Sequence, residues 1–113
     1  MAFKYFKTFE QDGISSGSSY STTWYPDEDI VIRRIYIKEK GGSSLLNSEF
    51  YLKVKEDVYT LDVAPASLFT GHANQTPRLD INVPAHSLIN LIFYNNEASS
   101  VSVYIVFECW EPE

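Results

Sequence analysis

The chain offers few side chains that could do catalytic chemistry. Its 113 residues include two histidines, His72 and His86, and one cysteine, Cys109. A metal site of the cupin type requires a His-x-His pair with a further acid and histidine, and this pair does not occur. No Gly-x-Ser-x-Gly nucleophile motif occurs either. We therefore predict no catalytic residues, no metal site and no cofactor, and we expect the protein not to be an enzyme.

The reactive groups that remain have structural explanations. Cys109 is in phase with the alternating apolar residues Val101, Val103, Ile105 and Phe107, which predicts a small buried core residue. A single cysteine also excludes an internal disulfide. The acidic run 27–29, which follows Pro26, is predicted to form a turn whose carboxylates bind backbone amides. An interface charge or a calcium ligand is the alternative use of these acids.

The charge balance limits the classes of partner. Nine basic and fifteen acidic residues give a net charge of −6, which disfavours binding to nucleic acid or to an anionic membrane surface. The charge is uneven along the chain, because residues 1–55 sum to +1 and residues 56–113 to −7. This asymmetry suits head-to-tail contacts between copies, and a well-solvated surface with incidental clustering of charge is the alternative. No signal peptide or membrane-spanning run is apparent, so we expect synthesis in a cytoplasm.

Apolar residues alternate with polar ones along most of the chain, with the period of two that is typical of half-buried strands. Glycine, serine and proline clusters separate these segments. Eight strands in 113 residues predict one all-β domain, an antiparallel β-sandwich of the jelly-roll type. A single helical turn is expected within 64–69. The predicted strands are Phe3–Phe9, Ser19–Tyr25, Ile30–Lys38, Glu49–Lys55, Val58–Val63, Arg78–Val83, Leu88–Tyr94 and Val101–Trp110.

Aromatic residues crowd the two ends of the chain and suggest a subunit interface. Alternation places Phe3, Tyr5 and Phe9 on one face of the first strand and Phe6 on the other, so that both faces are apolar. We predict that residues 1–10 form an arm that packs against a neighbouring subunit or pairs with it by strand addition, with an ordinary first strand of the sandwich as the alternative. The predicted interface residues are Phe3, Tyr5, Phe6, Phe9, Arg33, Arg34 and Trp110.

A second class of function uses aromatic rings to bind carbohydrate. Sugar-binding sandwiches stack tyrosine or tryptophan rings against sugar faces. In the strand 19–25, alternation places Tyr20 and Trp24 on the same side, which makes them the candidate ligand-binding residues. A tryptophan in a strand can equally fill the core, as the alternative reading of Trp24.

The second half of the chain resembles small single jelly-roll structural proteins of phages and other viruses. The resemblance lies in the Val83-Pro84-Ala85 corner, the strand that ends at Asn95-Asn96 and the long final strand from Val101; Trp24-Tyr25-Pro26 fits the opening half. It implies a self-assembling virion component, such as a capsid, decoration, vertex, tail or spike protein. Its expected partners are copies of itself, other virion proteins and, for a spike, a glycan receptor. The chain lacks the basic arm that capsid proteins direct at the genome.

Overall fold

The computed structural model describes residues 2–55, 57–58, 64–72 and 75–112 and is built almost entirely of strands. A single 3-10 turn, Ala66–Phe69, interrupts them. Within the described ranges no helix has the length and apolar character needed to cross a membrane. The strands are β1 (Phe3–Ile14), β2 (Ser19–Trp24), β3 (Ile30–Glu39), β4 (Glu49–Val54), β5 (Asp57–Val58), β6 (Ala64–Pro65), β7 (Ile81–Val83), β8 (Ile89–Tyr94) and β9 (Val101–Trp110).

The strands form two antiparallel sheets. Sheet A has the order β1-β9-β3-β7. Sheet B has the order β2-β8-β4, and the two-residue strands β5 and β6 both pair with the far side of β4, at opposite ends of that strand. Each sheet is therefore four strands wide, and the chain passes repeatedly from one sheet to the other. This arrangement is the predicted jelly-roll sandwich of about eight strands.

The alternation of apolar and polar residues determines which face of each strand is buried. In β4, Phe50, Leu52 and Val54 are buried, whereas Glu49, Tyr51 and Lys53 are only partly buried. The inner faces of both sheets together make one core. Its largest fully buried side chains are Phe50, Phe93, Phe107, Ile30, Ile32, Ile35, Ile37, Leu45, Leu52, Ile89, Leu91 and Ile105.

The predicted strand bounds hold best where the alternation is strong. The first strand is longer than predicted and continues to Ile14. The strand predicted at Arg78–Val83 begins only at Ile81, because Asp80 has a φ of 49° and turns the backbone out of the extended region. The predicted turn after Pro65 is the 3-10 turn. Most of the strand predicted at Val58–Val63 lies outside the described residues.

Candidate functional site

The predicted N-terminal arm is the first strand of the sandwich. β1 pairs with β9 from Phe3, opposite Trp110, to Ile14, opposite Val101. The register of the β1–β9 pairing shifts between Phe3 and Tyr5. Because of this shift, the prediction that Phe3 shares a face with Tyr5 and Phe9 is wrong. Phe3 lies beside Phe6, with ring centroids 4.9 Å apart, and not on the face that Tyr5 and Phe9 occupy.

The seven predicted interface residues therefore divide between the two faces of sheet A. Phe9 is buried in the core, and Tyr5 packs against it. Both of these rings meet Trp24 edge to face, at centroid distances of 6.4 Å for Tyr5 and 6.2 Å for Phe9. Both rings therefore contribute to packing inside the sandwich. Phe3, Phe6, Arg33, Arg34 and Trp110 lie on the outer side.

Four of these outer residues form one cluster, which we call the aromatic patch: Phe3, Phe6, Trp110 and Arg33. The Phe3 ring meets the Trp110 ring edge to face at 5.8 Å as well as contacting Phe6. Phe3 and Phe6 are 45% and 57% exposed. Single exposed apolar residues are common on protein surfaces, whereas large contiguous apolar patches mark interaction sites.

Arg33 fixes the position of the Trp110 ring within the patch. The register of β3 against β9 shifts between Ile32 and Arg34, so Arg33 is the extra residue of a β-bulge. Its guanidinium carbon lies 3.9 Å from the centre of the Trp110 ring, a cation–π contact. Its Nε lies 3.4 Å from Asp80 Oδ1. The bulge thus directs a cation, itself fixed by Asp80, onto the tryptophan face.

Glu108, which lies two residues before Trp110 on β9, also stabilises the patch. Trp110 Nε1 donates to Glu108 Oε1 at 2.7 Å, and the Tyr36 hydroxyl donates to Glu108 Oε2 at 2.6 Å. Arg34 approaches the same carboxylate at 3.9 Å. Burial, together with the hydrogen bond to Glu108, raises the pKa of Tyr36 to about 12. The Trp110 ring is therefore fixed on one side by a carboxylate and on its face by Arg33.

The edge strand β1 of sheet A carries a charged side chain that points toward the interior of the sandwich. Lys7 of β1 lies opposite Phe107, on the inner side of the sheet. Its ammonium sits 5.3 Å from the centre of the Phe9 ring and 5.4 Å from that of Trp24. An inward-pointing lysine on an edge strand is one of the devices that prevent a second sheet from pairing with that edge.

The candidate sugar-binding residues Tyr20 and Trp24 share one side of β2, as alternation predicts, but that side is the inner one. Both are partly buried and pack against the core. Trp24 meets the Phe107 ring at 6.3 Å, besides its contacts with Tyr5 and Phe9. A stacking platform for a sugar requires an open ring face. The structure therefore places Tyr20 and Trp24 against the core, in agreement with the alternative given above for Trp24.

The remaining reactive groups have structural partners. Cys109 is fully buried, and burial raises the pKa of its thiol to about 12. Asp29 of the acidic run accepts the backbone N–H of Ala85 at 2.7 Å, and Glu28 pairs with Lys4 at 2.8 Å. Within the residues that the structure describes, no group of three or more His, Cys, Asp and Glu side chains is placed to hold a metal ion.

Two residues that stabilise the patch were not identified from the sequence. Tyr36 and Glu108 are partners only because β3 and β9 are neighbours in sheet A. The available signal was Glu108 itself, a charged residue within the apolar run of β9. A charge at such a position requires hydrogen-bonding partners on an adjacent strand.

Comparison with known proteins identifies no relative: the chain matches no protein-family model, no curated protein and no solved structure.

Proposed function

We propose that this protein is a non-enzymatic structural subunit that assembles with copies of itself through the aromatic patch, as a component of a virion. The observation that carries the proposal is the pair of adjoining exposed rings, Phe3 and Phe6, on a fixed Trp110. Burying these rings against a second copy would remove apolar surface from water, which is the main driving force of protein association.

The patch has the composition and rigidity of an interface centre. Tryptophan and arginine are the residue types that most often dominate binding energy at protein interfaces. Trp110 and Arg33 are already fixed by Glu108 and Asp80. Since an immobilised side chain loses little conformational entropy on association, more of the contact energy remains available for binding.

The proposed contact uses the face of sheet A and not its edge. Lys7 directs its charge to the inner side of β1, which disfavours extension of the sheet by a strand of another copy. The aromatic patch lies on the outer surface, where two copies can meet without breaking a β-ladder. We therefore propose face-to-face contact in place of the strand addition that the sequence also allowed.

The virion assignment is supported by the resemblance to small jelly-roll structural proteins of phages and viruses. It rests on the corner at Val83-Pro84-Ala85 and on the two strands that follow, β8 and β9. The jelly-roll topology agrees with it, although one fold serves many functions and carries no assignment by itself. Self-assembly through the patch is the part of the proposal that a single experiment tests directly.

The test compares the native mass of the wild-type chain with that of the double variant Phe3→Ser/Phe6→Ser. Native mass spectrometry and light scattering at two protein concentrations should show the wild type as a multiple of 12.9 kDa. The double variant should be monomeric with an unchanged melting temperature, because both side chains lie outside the core. Electron microscopy of the wild type should show whether the assembly is a closed ring or a shell.

Leu46→Ser is the matched control for this experiment. Leu46 is 74% exposed and lies outside the patch, so its loss removes exposed apolar surface without changing the proposed contact. This variant should assemble like the wild type. A wild-type chain that stays monomeric at the higher concentration, or a double variant that still assembles, would contradict the proposal.

A further inference from the structure

A broad groove lies on the outer face of sheet B, away from the aromatic patch. Two cross-strand rows form it: Ser21, Ile92 and Tyr51 lie side by side, followed by Thr23, Asn90 and Lys53. Its volume is about 620 Å³. Small-molecule sites typically measure about 300–1,000 Å³, so the groove has the size of a ligand site.

The shape of the groove follows from the side-chain lengths on the three strands. β2 is the edge strand of sheet B and presents only serines and threonines outward, at Ser19, Ser21 and Thr23. β4 and β8 present longer side chains, including Tyr51 and Ile92. The side chains that line the groove are therefore shorter on the edge strand β2 than on β4 and β8.

Apart from the Lys53 ammonium, the lining offers neutral hydrogen-bonding groups beside apolar surface. Hydroxyls come from Ser21, Thr23 and Tyr51, and an amide comes from Asn90. The Tyr51 ring and Ile92 add apolar surface. Among the lining residues Lys53 is the single ionisable side chain besides the Tyr51 phenol.

This composition distinguishes between classes of ligand. A nucleic acid requires several cations to replace its counterions, and an amphipathic peptide helix requires a row of apolar anchors. A sugar presents hydroxyls, which pair with neutral donors and acceptors, and C–H faces, which pack against an aromatic ring. We propose that the groove on sheet B binds a neutral saccharide, with Tyr51 and Asn90 as its principal contacts.

This inference is independent of assembly through sheet A. The groove and the aromatic patch lie on the outer faces of opposite sheets, so copies that meet through the patch keep their grooves open to solvent. Assembly would then multiply the number of saccharide sites, which raises the apparent affinity for a surface carrying many glycans without any new contact.

The experiment uses the labelled 113-residue chain on an array of neutral and sialylated glycans. The affinity for the best-bound neutral glycan is then measured by NMR titration of the chain. We expect the neutral glycans to bind, with shift changes concentrated in β2, β4 and β8. Tyr51→Ala should weaken binding by about tenfold, because it removes the ring. Asn90→Ala should also weaken binding, and both variants should keep the wild-type melting temperature.

Tyr25→Ala is the matched control, since Tyr25 is an exposed tyrosine outside the groove. It should bind the glycan like the wild type. The inference is overturned if no neutral glycan binds, if only sialylated glycans bind, or if Tyr51→Ala and Asn90→Ala bind like the wild type. The native mass of each variant, measured in parallel, distinguishes a failure of saccharide binding from a failure of self-assembly.

Discussion

Glu108 is a carboxylate held at the outer face of sheet A by the side chains around it. It is 8% exposed and accepts hydrogen bonds from Tyr36 and Trp110. A charged group in this position is stable only while its donors are present, since an unpaired buried charge is costly. The side chain of Tyr36 is therefore important for stability although it lies outside the hydrophobic core.

We predict that Tyr36→Phe lowers the free energy of unfolding by about 1–3 kcal/mol, because it removes a donor to a charged acceptor. Urea unfolding at pH 7 provides the measurement. Tyr104→Phe is the control, since Tyr104 lies on the same face and is 39% exposed. It should unfold like the wild type. Equal stability of the Tyr36→Phe variant and the wild type would mean that the bond to Glu108 contributes nothing.

The raised pKa of Tyr36 gives this prediction a pH dependence. The pKa rises from 10.0 to about 12 on folding, so between these values the unfolded chain releases a proton that the folded protein retains. The contribution of Tyr36 to stability is complete below pH 10 and is lost as the pH rises toward 12. The stability of the wild type should therefore approach that of Tyr36→Phe over this range. A constant difference across it would contradict the assignment.

Cys109 is predicted to be chemically inert in the folded protein. The thiolate is the reactive form, and burial raises the pKa of this thiol from 9.0 to about 12. At pH 8 a thiol reagent such as iodoacetamide should label the chain only after unfolding in urea. Ser100→Cys supplies the control, because residue 100 is exposed and a second thiol there should react at once. Rapid labelling of the native wild type would show that Cys109 is accessible.

At the scale of the elements, Asn95 links the loop between β8 and β9 to the end of β1, which is distant from it in sequence. It follows β8, is fully buried, and its Nδ2 donates to Ile14 O at 2.8 Å and to Ser99 O at 3.0 Å. Its Oδ1 accepts the backbone N–H of Glu97 at 2.9 Å. The residue thus fixes the β8–β9 loop and ties it to the end of β1.

We predict that Asn95→Ala lowers the free energy of unfolding by about 3 kcal/mol, because it removes one buried and two partly buried hydrogen bonds to the backbone. Thermal and urea unfolding measure the loss. Asn96→Ala is the matched control. Asn96 is exposed, and its Nδ2 donates to Glu49 Oε1 in an exposed hydrogen bond, so the loss of this side chain should cost well under 1 kcal/mol. If the two variants are equally stable, the network around Asn95 does not hold the loop.

The strands also show how much of the fold the alternation of polar and apolar residues predicts. Alternation identifies β4, β8 and β9 because their polar and apolar residues are cleanly separated. It correctly places Tyr20 and Trp24 on one face, but it does not say whether that face is inside, because Thr22 lies between them and both faces of β2 therefore carry polar residues. It also fails at irregularities: the register shift beside Phe3 and the bulge at Arg33 create the aromatic patch, and neither leaves a periodic signal.

For the whole molecule, the jelly-roll topology mixes the two halves of the chain and with them the uneven charge. Sheet A alternates strands of the first half, β1 and β3, with strands of the second half, β9 and β7. Ion pairs join the halves, as in Arg33 with Asp80 and Arg34 with Glu108. Among the residues that the structure describes, cations of the first half thus lie beside acids of the second half, and this placement does not favour head-to-tail attraction between copies.

This mixing predicts how salt should act on assembly. If apolar contact through the aromatic patch drives association, raising NaCl from about 0.05 M to about 0.5 M should leave the native mass unchanged or increase it, because salt screens the repulsion between chains of net charge −6. Attraction between oppositely charged ends would instead weaken, and the assembly would dissociate toward monomers. Light scattering across this salt range distinguishes the two mechanisms, with Phe3→Ser/Phe6→Ser as the monomeric reference. Dissociation at high salt would show that charge, and not the exposed rings, holds the copies together.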